Sequence, residues 1–178
     1  VNKDFFKGVA DTVNNLDCKY IIDIGSNIGY FSRLYALSDT NLEIIALEPD
    51  IYNFSFLANN TSDLRNVFIY HFGLSDVFSR YNVSMPNFAN SRLGEKKFST
   101  GLLTAIDNNN DNGTRFINGD AFLKFLRIKS EEIGWIKIDL EGFEINLIKG
   151  FSQTLITTNA LFEIGINKHT MTLCKISL

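Results

Sequence analysis

The sequence predicts an α/β domain built on a mostly parallel sheet with helices on both faces, and three observations predict it. Short apolar runs alternate along the chain with segments whose apolar residues recur at helical spacing. The runs are nearly continuous in apolar residues, the pattern of strands covered on both faces. A glycine-bearing turn joins the first run to the helix that follows it, the junction where such sheets commonly bind ligands.

Taken in order, Tyr20 to Ile24 is a short apolar run interrupted only by Asp23 and closed by Gly25. From Tyr30, the residues Phe31, Leu34, Tyr35 and Leu37 follow helical spacing until the polar stretch Ser38 to Asn41. Leu42 to Leu47 reads as a second strand closing on Glu48-Pro49. Ile51, Phe54, Leu57 and Ala58 then mark a helix that ends at Asn59-Asn60, and Val67 to Phe72 a third strand. Strands alternating with helices in this way imply right-handed crossovers and parallel pairing.

The rhythm breaks between about 77 and 118, where Met85-Pro86, Ser91 to Glu95 and the Asn-rich run from Asp107 to Gly113 are turn and loop chemistry. Hairpins are expected here, with strand-like pieces at Lys97 to Leu103 and Thr114 to Ile117. Asp120 is placed to cap a helix carrying Phe122, Leu123, Phe125 and Leu126. Trp135 to Leu140 follows as a strand, Phe143 to Leu155 as one helix, and Ala160 to Ile164 as the last strand. With no internal repeat or linker, residues 1–178 are expected to form one domain with an irregular insert at about 77–118.

Composition excludes several functions. The chain has 178 residues, with 17 Lys plus Arg against 20 Asp plus Glu and a net charge of -3, so no basic field is present to hold nucleic acid. No apolar run approaches the roughly 20 residues of a membrane span, and the first 20 residues lack the apolar core of a secretory signal. A cytoplasmic protein is expected. Cys18 and Cys174 stand far apart with no metal-ligand spacing and are expected to be inert thiols. The chain starts at Val1 rather than Met, which suggests that the true N-terminus lies outside it.

The most informative segment is Asp23-Ile24-Gly25-Ser26-Asn27-Ile28-Gly29, with Glu48 at the end of the next strand. Gly25 permits a tight turn, Gly29 permits close packing, and the helix N-terminus presents N–H groups. An acid some 20 residues beyond such a turn is positioned to accept hydrogen bonds from ribose hydroxyls, which points to an adenosine compound. Asp23 would repel a dinucleotide pyrophosphate but suits the ammonium and sulfonium of S-adenosylmethionine. No phosphate-binding Gly-x-x-x-x-Gly-Lys-Ser/Thr sequence is present. A nicotinamide-dependent oxidoreductase is a distant alternative.

These residues resemble the FkbM family of S-adenosylmethionine-dependent methyltransferases, within the class I Rossmann-like methyltransferase fold. The resemblance rests on Ile22 to Phe31, on Leu47-Glu48-Pro49-Asp50 with Asn53, Leu57 and Asn60, on Gly73-Leu74-Ser75-Asp76, and on Ile136-Lys137-Ile138-Asp139-Leu140-Glu141-Gly142-Phe143-Glu144 with Leu147, Lys149 and Gly150. The glycine turn marks the superfamily, and Lys-x-Asp-x-Glu-Gly-x-Glu singles out the family. The resemblance implies O-methylation of a hydroxyl on a sugar, glycan or other small molecule. It implies cofactor contacts from Asp23, Gly25, Ser26, Asn27, Gly29, Tyr30, Glu48 and Pro49, with Leu74 and Ser75 placed near the adenine unless they form a plain turn. It also implies a closing β-hairpin for which only Gly165 to Leu178 is left, so part of that hairpin is expected to be absent. A sheet edge left open in this way is compatible with a homodimer.

Methyl transfer to a hydroxyl requires an acceptor oxygen held in line and a group that removes its proton. Asp139 and Glu141 flank the end of an apolar strand and are the candidate catalytic acids, acting as a base or holding a divalent metal that acidifies the acceptor. Glu141 is equally placed to accept backbone hydrogen bonds within its own turn, and Glu144 to complement a helix dipole. His169 is a candidate general base and Glu163 a further acid, whereas His71 within an apolar strand is expected to be a core histidine. The role of Lys137 is open. A second reading keeps the fold and the adenosine site in a non-catalytic binding or protein-interaction module.

Overall fold

The computed structural model describes residues 3–84, 104–107, 114–140 and 143–165. Helix α1 (Lys3–Val13) precedes β1 (Tyr20–Ile24), α2 (Tyr30–Ser38), β2 (Glu43–Leu47), α3 (Ile51–Thr61) and β3 (Val67–Tyr70). Then come β4 (Gly73–Ser75), β5 (Ser79–Ser84), β6 (Thr104–Asp107) and β7 (Thr114–Asn118). Helix α4 (Gly119–Leu126), a 3-10 turn (Ser130–Glu132), β8 (Ile133–Ile138), α5 (Glu144–Gly150), α6 (Ser152–Thr157) and β9 (Leu161–Ile164) complete the described chain.

Five strands form a parallel sheet in the order β3-β2-β1-β8-β9. The three central strands are buried almost throughout, whereas β3 and β9 at the edges are not. Alternate residues of the central strands feed two cores. Ile21, Ile44 and Trp135 pack with Val9, Val13, Tyr35 and Ala36 of α1 and α2. Ile22, Ile24, Ile45, Ile136 and Ile138 pack with Phe122, Leu123, Leu147 and Phe151 on the other face.

The expected β-α alternation is present, with three differences. First, the third strand stops at Tyr70, and His71 lies beyond it, exposed and stacked on Phe54 with ring centroids 4.8 Å apart, not in the core. Second, the irregular middle contributes a four-stranded sheet, β4-β7-β5-β6, in which β5 pairs antiparallel with both β6 and β7, and β4 runs parallel to β7. The expected strand at 97–103 lies outside the described residues.

Third, Phe143 to Leu155 is two helices. A Cβ on Gly150 would meet the carbonyl oxygen of Ser75 at 1.7 Å, so α5 ends pressed against β4, and the chain turns at Phe151. Asp120 lies in the first turn of α4 and does not cap it. Asn118 does, accepting from the Ala121 N–H, while the Asp120 carboxylate crosses to α6 and accepts from the Gln153 and Thr154 N–H groups.

Candidate functional site

Strand β1 connects forward to β2 on one side and pairs with the much later β8 on the other, so the order of the sheet reverses between β1 and β8. Open α/β sheets bind ligands in the crevice beyond the carboxyl ends of strands at such a point. Gly25 and Asp139 follow β1 and β8 there and touch: a Cβ on Gly25 would meet the Asp139 carbonyl oxygen at 2.2 Å, and the Asp139 N–H donates to Ile24 O at 3.0 Å.

The turn itself is built from left-handed backbone, with φ of 78° at Gly25, 52° at Asn27 and 84° at Gly29. Glycine adopts such angles without steric cost, and Asn is among the few other residues that tolerate them. The Gly25 and Ser26 N–H groups both donate to Leu47 O, at 3.0 and 2.9 Å, and the Ser26 hydroxyl donates to Asp23 O at 2.8 Å. Gly29 lets α2 approach α3, since a Cβ there would lie 2.7 Å from Leu57 Cδ1.

Glu48 closes the turn from the end of β2. Its Oε2 accepts from the Asn27 N–H at 2.8 Å and its Oε1 from the Asp50 N–H at 2.9 Å, with a further hydrogen bond from the Asn53 side chain. Burial pushes its carboxyl up to about 7, against the opposing pull of those N–H groups. Pro49 beside it is buried, and Asp50 caps α3 by accepting from Tyr52 and Asn53 N–H. Tyr30 is half exposed at the start of α2 and lines a groove of about 530 Å³ with Arg33, Leu37, Asn60 and Asp63.

Three expected contacts have different surroundings from those the sequence suggested. Asp23 is fully buried: Oδ2 accepts from the Ser32 hydroxyl, and Oδ1 lies 3.3 Å from the Lys137 ammonium. The cation that meets this acid is therefore the protein's own. Leu74 and Ser75 are also fully buried, because this segment is a strand of the second sheet and not an open turn. Leu74 packs in the core, and the Ser75 hydroxyl donates to Asp76 Oδ1 at 2.9 Å.

Among the candidate acids, Asp139 is exposed at the crevice, its side chain 46% accessible. A Cβ on Gly165 would meet its Oδ1 at 2.6 Å, so the residue after β9 walls the carboxylate on one side. Glu144 is buried in the first turn of α5. Glu163 is turned to the α2 face, where its Oε2 accepts from the Tyr35 hydroxyl at 2.8 Å. Burial, then the nearby Asp23 and Glu163 charges, push that phenol far above its ordinary range, so it stays a donor. Glu141 and His169 lie outside the described residues. Among the described residues, no cluster of three His, Cys, Asp or Glu side chains is arranged to hold a metal ion.

Sequence reasoning left Lys137 without a role. The signal was present: Asp23 and Lys137 are opposite charges, each set inside an apolar strand, and parallel pairing puts them side by side. Burial alone would lower the Lys137 ammonium's pKa, but Asp23, Asp139 and Glu163 more than offset it and hold it above its ordinary value.

A family model, the methyltransferase FkbM domain, matches residues 23–170, from the buried acid of β1 past the end of β9. The chain belongs to this family. No curated protein matches the sequence. A precorrin-6y C5,15-methyltransferase from Geobacter metallireducens GS-15 superposes with a TM-score of 0.54 at 13% identity, over 97% of this chain and 68% of that one. A putative caffeoyl-CoA O-methyltransferase from Staphylococcus aureus gives a TM-score of 0.48 at 12% identity, over 86% of this chain and 53% of that one. The first likeness shows the fold, a Rossmann-like sheet of the class I methyltransferase kind. No described helix of this FkbM-domain chain is long and apolar enough to cross a membrane.

The residues at the crevice fit an adenosine-bearing cofactor. The left-handed turn brings backbone to the ends of β1 and β8, and Glu48 stands at the end of the adjoining strand. A carboxylate has about four lone-pair positions, so Glu48 keeps accepting capacity beyond its two backbone bonds and the Asn53 bond.

Proposed function

We propose that this chain is an S-adenosylmethionine-dependent methyltransferase that methylates a hydroxyl on a sugar, a glycan or another small molecule. The observation that carries the reading is the meeting of Gly25, Glu48 and exposed Asp139 at the carboxyl ends of β1, β2 and β8, in a chain of the FkbM family.

In this reading the cofactor supplies a methyl group on a sulfonium. Glu48 accepts from the ribose hydroxyls, and the turn from Gly25 to Gly29 supplies the backbone against which the nucleoside lies. Tyr30 and Pro49 border that region. Asp139, the exposed acid at the crevice, accepts the proton of the acceptor hydroxyl. Glu141 and His169 complete the proposed set of acid and base groups.

The test is a screen of sugar and small-molecule hydroxyl compounds with S-adenosylmethionine, read by mass spectrometry for a methylated product. Asp139→Asn is expected to lower turnover by about 100-fold or more, the usual scale of a lost general base, while leaving S-adenosylhomocysteine affinity near the wild-type value. Unchanged turnover in that variant would remove Asp139 from the chemistry.

A further inference from the structure

Lys137 is the penultimate residue of β8, with its side chain 5% exposed, an unfavourable place for an ammonium unless something there needs it. Its Nζ donates to Gly25 O at 3.2 Å and lies 3.3 Å from Asp23 Oδ1, 3.8 Å from Asp139 Oδ2 and 5.4 Å from the Phe31 ring centroid. These partners come from β1, from the glycine turn, from the end of β8 and from α2.

The contact with Gly25 has a particular consequence. The carbonyl of Gly25 and the N–H of Ser26 belong to one peptide unit, and that unit is held at both ends: the N–H by Leu47 O at 2.9 Å, the carbonyl by Lys137. Rotating this unit changes ψ at Gly25 and φ at Ser26, and glycine, with no Cβ, opposes the first of these less than any other residue. Held from both sides, the unit cannot rotate without losing two hydrogen bonds, one of them charge-assisted.

We propose that Lys137 is the positioning residue of this site: one ammonium clamps the Gly25–Ser26 peptide in the orientation the cofactor turn needs and tethers the Asp139 carboxylate across the crevice. Asp23 supplies the buried countercharge that keeps the ammonium in place, and Ser32 fixes Asp23 by its hydroxyl. The inference rests on the reading of the crevice as a cofactor and acceptor site.

The test separates a clamp from a mere charge partner. In the double variant Asp23→Asn/Lys137→Met the buried pair is neutralised together, so no uncompensated charge is left. The expected result is a folded protein in which the turn amides around Ser26 and Asn27 exchange with deuterium at least about tenfold faster, and S-adenosylhomocysteine binds at least about tenfold more weakly. Asp23→Asn alone keeps an ammonium that Asp139 and Glu163 still attract, and is expected to loosen the turn less than the double variant does. Wild-type exchange and affinity in the double variant would overturn the clamp. If the wild-type chain itself does not bind S-adenosylhomocysteine, the proposed function fails, while amide exchange still decides the role of Lys137. Should the double variant not fold, nitrogen-15 NMR of the wild-type lysines decides. Slowly exchanging Lys137 ammonium protons close to the turn support the clamp, and a freely exchanging ammonium overturns it.

Discussion

Glu48 and Asn27 stand 21 positions apart in the chain and are joined by a 2.8 Å hydrogen bond from the Asn27 N–H to Glu48 Oε2. The acid at the end of β2 therefore shapes the turn at the end of β1 before any ligand arrives. Asn27 holds a left-handed φ of 52° at the same position, so the bond also secures a backbone conformation that most residues disfavour.

The Glu48 carboxyl gives a pH signature. Its value of about 7 in the folded chain exceeds the ordinary 4.5, so the folded state holds the proton more tightly than the unfolded one. The associated stability is fully present below 4.5 and is lost as pH rises through about 7, a component of about 3 kcal/mol at most. Urea denaturation at about pH 5 and about pH 8 should show this component in the wild type and not in Glu48→Gln. By the same linkage, a ligand whose hydroxyls donate to ionised Glu48 should bind more weakly as pH falls below about 7.

The two glycines of the turn should respond differently to alanine. Gly25→Ala places a methyl group against the backbone carbonyl of Asp139, which cannot move without breaking the β1–β8 junction, and is expected to cost at least about 3 kcal/mol. Gly29→Ala meets the far end of the Leu57 side chain, which can shift, and is expected to cost about 1 to 2 kcal/mol, mostly for the left-handed backbone. Denaturant unfolding of the pair checks the ordering.

Much of this was legible in the sequence. The run Tyr20 to Ile24, the helical spacing from Ile51 to Ala58 and the apolar run expected as a strand at Trp135 to Leu140, which forms at Ile133–Ile138, are local signals, and alternation of strands and helices is enough to imply the parallel sheet. Partners supplied from distant segments were not legible. Asp120 reads as the cap of its own helix until α6 is seen to begin beside it. Leu74 and Ser75 read as adenine contacts or a plain turn until β7, more than 40 residues later, pairs with them. Asp23 reads as a group facing a ligand until β8 brings Lys137 alongside.

The Asp120 cap is testable in isolation. Asp120→Ala removes the acceptor for the Gln153 and Thr154 N–H groups and is expected to cost about 1 to 2 kcal/mol, with faster exchange of those two amides.

Gly165 separates position from stability. A methyl group there meets the exposed carboxylate of Asp139 and not its backbone, so the side chain can swing away. Gly165→Ala is expected to change the melting temperature little while lowering methyl transfer about tenfold or more, as a misplaced base would. Kinetics and thermal unfolding of the same preparation read both effects.

The central claim is an adenosine-cofactor site at the end of β1 and β2. Titration calorimetry of the purified chain with S-adenosylhomocysteine, with NAD as the control ligand and Glu48→Ala as the control protein, tests it most directly. The account predicts saturable binding of S-adenosylhomocysteine, no comparable binding of NAD, and a loss of about 1 to 3 kcal/mol in Glu48→Ala from the missing charge-assisted contacts. A folded wild-type chain that does not bind S-adenosylhomocysteine, or that binds it as well without the Glu48 carboxylate, would contradict it.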